Sequence, residues 1–124
     1  MIGYVTLGTN NFDAAASFYD ELFATIGAAR VFETETFIAW GKSAGSPSLS
    51  IAKPFNGEAA SVGNGVMVAI AMSSSDKVDA FHAKALELGG SDEGAAGPRG
   101  DTFHVGYFRD LDGNKLNAFC FVKD

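Results

Sequence analysis

Residues 109–116 read Arg-Asp-Leu-Asp-Gly-Asn-Lys-Leu and join two segments, 103–110 and 115–122, that are rich in apolar residues. Short apolar segments bounded by turn residues are typical of strands. The triplet Asp112-Gly113-Asn114 consists of the residue types that most readily adopt positive φ, as a tight hairpin turn requires. The sequence therefore predicts a C-terminal β-hairpin with strands at Phe103–Asp110 and Lys115–Val122.

The residues before this hairpin predict a strand, a helix and a loop. Met67–Met72 is predicted to be a strand, and Ser73–Ser75 offer an N-cap for the helix that follows. Gly89 and Gly90 end that helix. Residues 91–100 are mostly small and are predicted to be a loop. The apolar stripe of the helix consists of Val78, Phe81, Ala85 and Leu88.

The first half of the chain shows the same pattern. A shift of 63 residues places Tyr4 on Met67, Phe18 on Phe81 and Gly27 on Gly90. Strands are predicted at residues 4–8, 29–33, 36–41 and 48–53, with a helix after Asn10 and Asn11. Two β-α-β-β-β units, at about 1–56 and 64–124, indicate an internal duplication; chance similarity of two amphipathic helices is the alternative. The polar segment 54–64 is a connection, either a lid or a plain linker.

Composition bounds the class of protein. The chain has 124 residues, of which 47% are hydrophobic and 19% charged, enough for one core and too apolar for intrinsic disorder. No apolar run approaches the roughly 20 residues of a membrane helix. The first residues, Met1-Ile2-Gly3-Tyr4, carry no positive n-region and no small-residue cleavage site, so no signal peptide is expected. The net charge of −6 without a Lys/Arg cluster argues against nucleic acid and anionic membranes as partners. We expect a single cytoplasmic domain.

The hairpin motif and the duplicated unit together resemble the glyoxalase, bleomycin-resistance and extradiol-dioxygenase superfamily, the vicinal oxygen chelate proteins. The family's hairpin reads Asp-Pro-Asp-Gly-Asn, where this chain has Asp110-Leu111-Asp112-Gly113-Asn114. The first strand and helix, with Phe18-Tyr19, are also similar. The resemblance covers residues 1–124 and implies an α+β fold in which two βαβββ units form an eight-stranded curved cup with the helices outside. It also implies a homodimer and, in most members, one divalent metal.

The resemblance allows the metal positions to be tested. They fall on Tyr4 in the first strand, Met67 in the strand that opens the second unit, and Asn117 in the last strand. The register at the end of the first unit is open, but residues 48–53 contain no His, Asp or Glu. A neutral phenol, a thioether and a carboxamide are poor ligands for a catalytic divalent metal. We therefore expect no metal and no cofactor.

Strand alternation and the resemblance together predict the lining of the cup. Arg99, in the predicted loop, is a candidate for binding an anionic group at the mouth, although a solvated arginine is an equal alternative. Arg109 is expected either to line the cup as a polar group or to pair with Asp110 or Asp112. The same aromatic residues are equally suited to filling a core. The predicted ligand-binding residues are Tyr4, Trp40, Met67, Arg99, Tyr107, Asn117 and Phe119.

The other chemically versatile residues are interpreted as structural. His82 is expected to be half-exposed on the second helix, and His104 to point away from the cup. Cys120 alternates with the lining residues, so it is expected to face the helix as a small buried hydrophobe.

We expect the protein to bind a small molecule in the cup without a catalytic metal, as bleomycin-resistance members bind their drug. The acidic composition favours an aromatic ligand that is neutral or cationic. The alternative is a divalent-metal-dependent lyase or dioxygenase with non-standard ligands, which the residues at the metal positions disfavour. A metal-free enzyme using Tyr4 or Tyr107 as an acid or base, or a structural role, is also open. No catalytic residue is assigned.

Overall fold

The computed structural model describes residues 1–122 and divides into two compact units, Met1–Val62 and a second that begins at Gly63. Each unit has one helix and four strands within the described residues. Unit 1 contains β1 (Tyr4–Gly8), α1 (Phe12–Ala24), β2 (Ala29–Glu33), β3 (Phe37–Gly41) and β4 (Ser48–Ala52). Unit 2 contains β5 (Val68–Ala71), α2 (Ser75–Glu87), β6 (Ser91–Arg99), β7 (Phe103–Arg109) and β8 (Lys115–Phe121).

The two units share one topology. Their sheets have the strand orders β1-β4-β3-β2 and β5-β8-β7-β6. The first strand of each unit pairs in parallel with its last, and the remaining pairs are antiparallel. The two helices are offset by 63 residues, and so are their N-caps, Asn11 and Ser74. These sheets and helices confirm the predicted α+β fold with a duplicated βαβββ unit.

In unit 1, helix α1 covers one face of the sheet. The Asn11 side chain caps the helix by accepting from the Ala14 N–H at 3.2 Å, and Gly27, with φ of 74°, ends it. The buried stripe of α1 packs on the strand side chains that point toward it, chiefly Leu7, Ile38, Leu49 and Ile51. This packing supplies the hydrophobic stabilisation of the unit.

Trp40 belongs to this helix side, which corrects the expectation that it lines the ligand face. Its ring is 2% exposed and lies 5.5 Å from Tyr19 and 6.1 Å from Phe23, centroid to centroid. Its Nε1–H donates to Asp20 Oδ1 at 2.9 Å. Because Trp40 pairs with Leu49 across the sheet, both side chains point toward α1.

In unit 2, residues 91–99 form strand β6, where the sequence predicted a loop. The strand pairs with β7 but shifts register twice, between Asp92 and Gly94 and between Gly94 and Gly97. It also carries Pro98, which an edge strand tolerates because its N–H side is free of a partner. Small residues, bulges and a proline explain why this edge strand lacks an apolar alternation.

The predicted hairpin turn is built on the buried Asp110. Its carboxylate accepts from the backbone N–H of Asp112 at 3.0 Å and of Asn114 at 2.9 Å, and from the Asn114 side-chain amide at 3.0 Å. Gly113 alone among residues 110–114 has positive φ, 91°. Hydrogen bonds to the Asp110 carboxylate therefore hold the turn, and only one of the three residues expected to adopt positive φ does so.

No helix within residues 1–122 is long and apolar enough to span a membrane.

Candidate functional site

Each sheet has a second face, opposite its helix, that carries exposed side chains; we call these the open faces. The open face of unit 1 carries Tyr4, which is 63% exposed, together with Phe32 and Phe37. The Phe37 ring contacts both others, at centroid distances of 6.1 Å to Tyr4 and 6.0 Å to Phe32. Tyr4 therefore lies on the face predicted for it.

The segment after β4 folds back on unit 1 and borders a cavity of about 690 Å³. The Asn10 side chain fixes the segment through two bonds to Ala60, donating to its carbonyl at 3.0 Å and accepting from its N–H at 2.7 Å. Thr6, Thr36 and Phe37 line the sheet side of this cavity, and Phe55 lines the other. Residues 54–61 are thus anchored to the unit, which the sequence left open between a lid and a linker.

The open face of unit 2 holds five of the seven predicted ligand-binding residues. Cross-strand pairing places Tyr107 opposite Asn117, and Asn117 opposite Ala69. The alternate residues His104, Gly106 and Phe108 of β7 point toward α2. The open-face side chains of the two central strands are Phe103, Val105, Tyr107 and Arg109 of β7 and Lys115, Asn117, Phe119 and Phe121 of β8.

Asn117 is the most unusual residue of this face. Asn117 is 2% exposed, and among the described residues its Nδ2 donates only to the Met67 sulfur at 3.6 Å, a weak acceptor. Its Oδ1 is buried and has no hydrogen-bond partner within the described residues. A buried carbonyl without a partner costs about 1–3 kcal/mol, so Asn117 is held in an environment that disfavours it.

Tyr107, beside Asn117, is flanked by two cations. The Lys115 ammonium lies 5.4 Å from the ring centroid and the Arg99 guanidinium carbon 6.0 Å. The Arg99 guanidinium is anchored to backbone carbonyls, at 2.8 Å to Ala95 and 3.2 Å to both Gly97 and Pro98. Arg99 was expected in a loop, whereas it is the last residue of strand β6.

Arg109 forms an ion pair, but not with the predicted partners. Its Nε donates to Glu93 Oε1 at 2.6 Å, and its Nη1 donates to the Gly113 carbonyl at 2.8 Å. The Arg109 guanidinium holds the pKa of Glu93 below its ordinary value. Arg109 had been expected to pair with Asp110 or Asp112, whereas the carboxylate of Asp110 accepts from the turn and that of Glu93 reaches Arg109 from β6.

The far end of the open face is aromatic. Phe103, Phe119 and Phe121 form a mutual cluster with ring centroids 5.6–5.7 Å apart. Phe121 is 72% exposed and the other two are half-buried. The face therefore changes along β8 from the cation of Lys115, through the amide of Asn117, to an exposed aromatic surface at Phe119 and Phe121.

The helix side of unit 2 contains the two histidines and the cysteine. His82 is buried, not half-exposed as expected: its Nε2 lies 3.0 Å from the Tyr107 carbonyl oxygen and 3.2 Å from Asp92 Oδ1. His104 points away from the open face, as expected, and its Nε2 lies 2.8 Å from Asp79 Oδ1. Cys120 is buried, with its sulfur 3.7 Å from Ser75 Oγ. All three take part in packing the helix on the sheet.

The structure also defines the register that the sequence left open for the fourth metal position. Thr6 pairs with Ser50 as Ala69 pairs with Asn117, so Ser50 is the counterpart of Asn117 in unit 1. Ser50 is fully buried, and its Oγ donates to the Val5 carbonyl at 2.9 Å. A hydroxyl already engaged with the backbone completes a set of residues that does not fit a divalent metal. Within residues 1–122, no three His, Cys, Asp or Glu side chains come together as a group that could hold one.

Lys115 is the open-face residue that sequence reasoning missed. It was read only as the first residue of a strand, although it lies two positions before Asn117 and so shares its face. The unpartnered state of Asn117 Oδ1 gave no signal in the sequence, because it depends on which neighbours reach the amide.

Comparison with known proteins defines the relatives of the chain. Residues 1–118 match the family model described as Glyoxalase/Bleomycin resistance protein/Dioxygenase superfamily. A glyoxalase/bleomycin resistance protein from Albidiferax ferrireducens T118 is similar in structure, with a TM-score of 0.88 and 30% sequence identity over 97% of this chain and 98% of that one. No curated protein sequence matches significantly.

Two further solved structures share the fold at lower identity. A glyoxalase/bleomycin resistance protein/dioxygenase family enzyme from Burkholderia phytofirmans PsJN gives a TM-score of 0.76 at 14% identity, covering 97% of this chain and 98% of that one. A lactoylglutathione lyase from Agrobacterium tumefaciens gives 0.70 at 19% identity, covering 97% and 92%. With the duplicated βαβββ unit, the family match confirms the resemblance: the chain belongs to the glyoxalase/bleomycin resistance protein/dioxygenase superfamily.

Proposed function

We propose that the open face of unit 2 binds a small organic molecule with an aromatic or apolar part, and that binding needs no divalent metal. The observation that carries the proposal is the buried, unpartnered Oδ1 of Asn117. Buried polar groups are almost always hydrogen-bonded in native proteins, and local costs of this kind concentrate at functional sites. Because Oδ1 is buried, a ligand must displace a neighbouring side chain before its N–H or O–H can supply the missing donor.

The surroundings of Asn117 support the same function. Apolar walls with a few orienting polar groups are characteristic of small-molecule sites. Here the wall is the aromatic cluster of Phe103, Phe119 and Phe121, and the orienting groups are the Asn117 amide and the Tyr107 side chain. Met67 contacts the amide from the neighbouring edge. Tyr4 belongs to unit 1 and is not required by this proposal.

The metal-dependent alternative predicts a different donor set. A lyase or dioxygenase of this family would need protein ligands that hold a metal ion, which would polarise a substrate oxygen. The positions expected to supply those ligands hold Tyr4, Met67, Asn117 and Ser50. We propose on this basis that the protein acts without a metal, although its structural relatives include a lactoylglutathione lyase.

The metal test uses untagged protein, because a histidine tag would add more imidazoles than the two of the chain. Elemental mass spectrometry should find no stoichiometric transition metal, and the melting temperature should be the same in EDTA and in added Zn, Mn, Ni or Fe. Stoichiometric metal together with a metal-dependent melting temperature would favour the lyase or dioxygenase alternative.

The binding test uses N-phenyl-1-naphthylamine, an uncharged fluorescent molecule with two aromatic groups and one N–H donor. We expect it to bind in the presence of EDTA and to bind more weakly to Phe121→Ala, which shortens the aromatic cluster. Phe55→Ala is the matched control, because Phe55 is also an exposed phenylalanine but lies in unit 1. Equal loss in both variants, or none in either, would contradict a site on the open face of unit 2.

A further inference from the structure

We infer that the open face of unit 2 selects an organic anion: a molecule whose negative group meets Lys115 and Arg99, whose N–H or O–H donates to Asn117, and whose apolar part lies on the aromatic cluster. The inference rests on the proposed function and adds the sign of the ligand's charge. It opposes the expectation from composition, since the chain as a whole carries −6.

The local charges of the open face are positive. Four charged side chains lie on or beside it: Arg99, Arg109, Lys115 and Glu93. Arg109 and Glu93 neutralise each other through their 2.6 Å contact. Lys115 forms no ion pair within the described residues, and the three bonds of Arg99 are all to neutral carbonyls. Glu93 also lies close enough to Lys115 for this second cation to help lower the Glu93 pKa. The four charges therefore sum to +2, and the Lys115 and Arg99 cations are both directed at the Tyr107 ring.

The local fold holds these cations in place. Three carbonyls of β6 anchor the Arg99 guanidinium, so a bound anion need not immobilise a free side chain, which lowers the entropic cost of binding. A Cβ at Gly94 would lie 3.1 Å from Tyr107 Cδ2 and 3.5 Å from Arg99 Nη2. The absence of a side chain at position 94 therefore lets the guanidinium approach the tyrosine ring closely.

The order of groups along β8 gives the ligand its direction. Lys115 and Asn117 are two residues apart on one face, about 7 Å along the strand. Lys115 Nζ lies over the ring of Tyr107, the cross-strand neighbour of Asn117. A ligand whose anionic group meets Lys115 can therefore place a nearby N–H or O–H donor at Asn117. Phe119 and Phe121 follow in the same direction. Aromatic or apolar carboxylates, sulfonates and phosphates that carry an adjacent N–H or O–H have this sequence of groups.

The test compares two dyes that differ by one charge. 8-Anilinonaphthalene-1-sulfonate has the ring system and N–H of N-phenyl-1-naphthylamine with a sulfonate next to the amine. We expect the anionic dye to bind at least about tenfold more tightly, since a charge-assisted bond contributes about 1.4 kcal/mol or more. Lys115→Gln should weaken the anionic dye about tenfold and the neutral dye much less. Lys77→Gln, which removes an exposed lysine of α2 in the same unit, should change neither.

The outcomes separate the inference from the proposed function. If both dyes bind equally and Lys115→Gln changes neither affinity, the selection of an anion is wrong and the small-molecule site stands. If neither dye binds, the proposed function fails and the inference fails with it. If Lys115→Gln and Lys77→Gln weaken the anionic dye equally, its binding reflects general charge and the assignment to Lys115 is overturned.

Discussion

Replacing Asn117 with leucine should make the protein more stable. The substitution removes a buried carbonyl oxygen that has no partner, whose cost is about 1–3 kcal/mol. What it loses is the 3.6 Å contact from Nδ2 to the Met67 sulfur, a weak hydrogen bond. The branched side chain needs some local adjustment, for which we subtract about 1 kcal/mol. A net gain of about 1 kcal/mol, and at most about 2 kcal/mol, is expected, with loss of ligand binding as the functional cost.

The matched control is the same substitution at Asn114, the other buried asparagine of unit 2. Its side-chain amide donates to the Asp110 carboxylate at 3.0 Å, so Asn114→Leu leaves a buried carboxylate with one donor fewer. Hydrogen bonds to charged groups contribute about 1.5–3 kcal/mol. The two asparagine-to-leucine variants should therefore change stability in opposite directions.

Urea unfolding followed by circular dichroism measures both variants. Circular dichroism is used because the one tryptophan, Trp40, lies in unit 1, and its fluorescence would report on the unit that does not contain Asn117. For a slope of about 1–3 kcal/mol per molar urea, a gain of about 1 kcal/mol moves the midpoint upward by roughly 0.3–1 M. An Asn117→Leu midpoint at or below that of the wild type, with Asn114→Leu destabilised as expected, would refute the reasoning about the unpartnered oxygen.

Two further predictions concern stability. Gly106→Ala should destabilise by about 1–3 kcal/mol in thermal or urea unfolding, because the new Cβ would lie 2.9 Å from the His82 ring; Gly45→Ala, which meets no atom within 4 Å, should stay within about 0.5 kcal/mol of the wild type. Asp20→Asn should destabilise at neutral pH, because the Arg30 guanidinium holds the pKa of Asp20 below its ordinary value. A group with a lowered folded-state pKa stabilises above its unfolded pKa of about 3.9 and loses that contribution as the pH falls through the folded value. The stability difference between the wild type and Asp20→Asn should therefore narrow below about pH 4, and a constant difference would contradict the role of the carboxylate.

The sequence predicted those parts of the fold that follow from strong local patterns. The 63-residue offset, the helix end at Gly27 and the hairpin at residues 110–114 are all present in the structure. Alternation placed Tyr107 and Asn117 on one face because β7 and β8 pair without a bulge. Regular strands preserve the period of two, so residue parity alone was sufficient there.

The errors arise where the pattern depends on tertiary contacts. β6 is an edge strand of small residues with two register shifts, so it has no alternation to detect. Trp40 was ambiguous because no local signal marks where β3 begins; its pairing with Leu49 decides the face. His82 is buried because Gly106 leaves space for its ring and the Tyr107 carbonyl accepts a bond there. No residue near His82 in the sequence indicates either contact.

The sequence placed Tyr107 and Asn117 on one face of the sheet but did not predict the charges beside them. The whole-chain value of −6 suggested a neutral or cationic ligand, whereas Lys115 and Arg99 place two positive charges beside Tyr107. Net charge averages over the surface, and a ligand responds chiefly to charges within about 8–10 Å at physiological salt. The neutralisation of Arg109 by Glu93 depends on a contact between β7 and β6 that composition cannot reveal.

The most direct test of the central claim follows the side-chain amide of Asn117 by nuclear magnetic resonance while 8-anilinonaphthalene-1-sulfonate is added in excess EDTA. The account predicts that the Asn117 amide resonances shift and saturate with the dye, because a ligand donor engages Oδ1, and that resonances of exposed side chains on α2 stay unchanged. Shifts that arise only after a divalent metal is added, or saturation of the dye without any change at Asn117, would contradict a metal-free site at this residue.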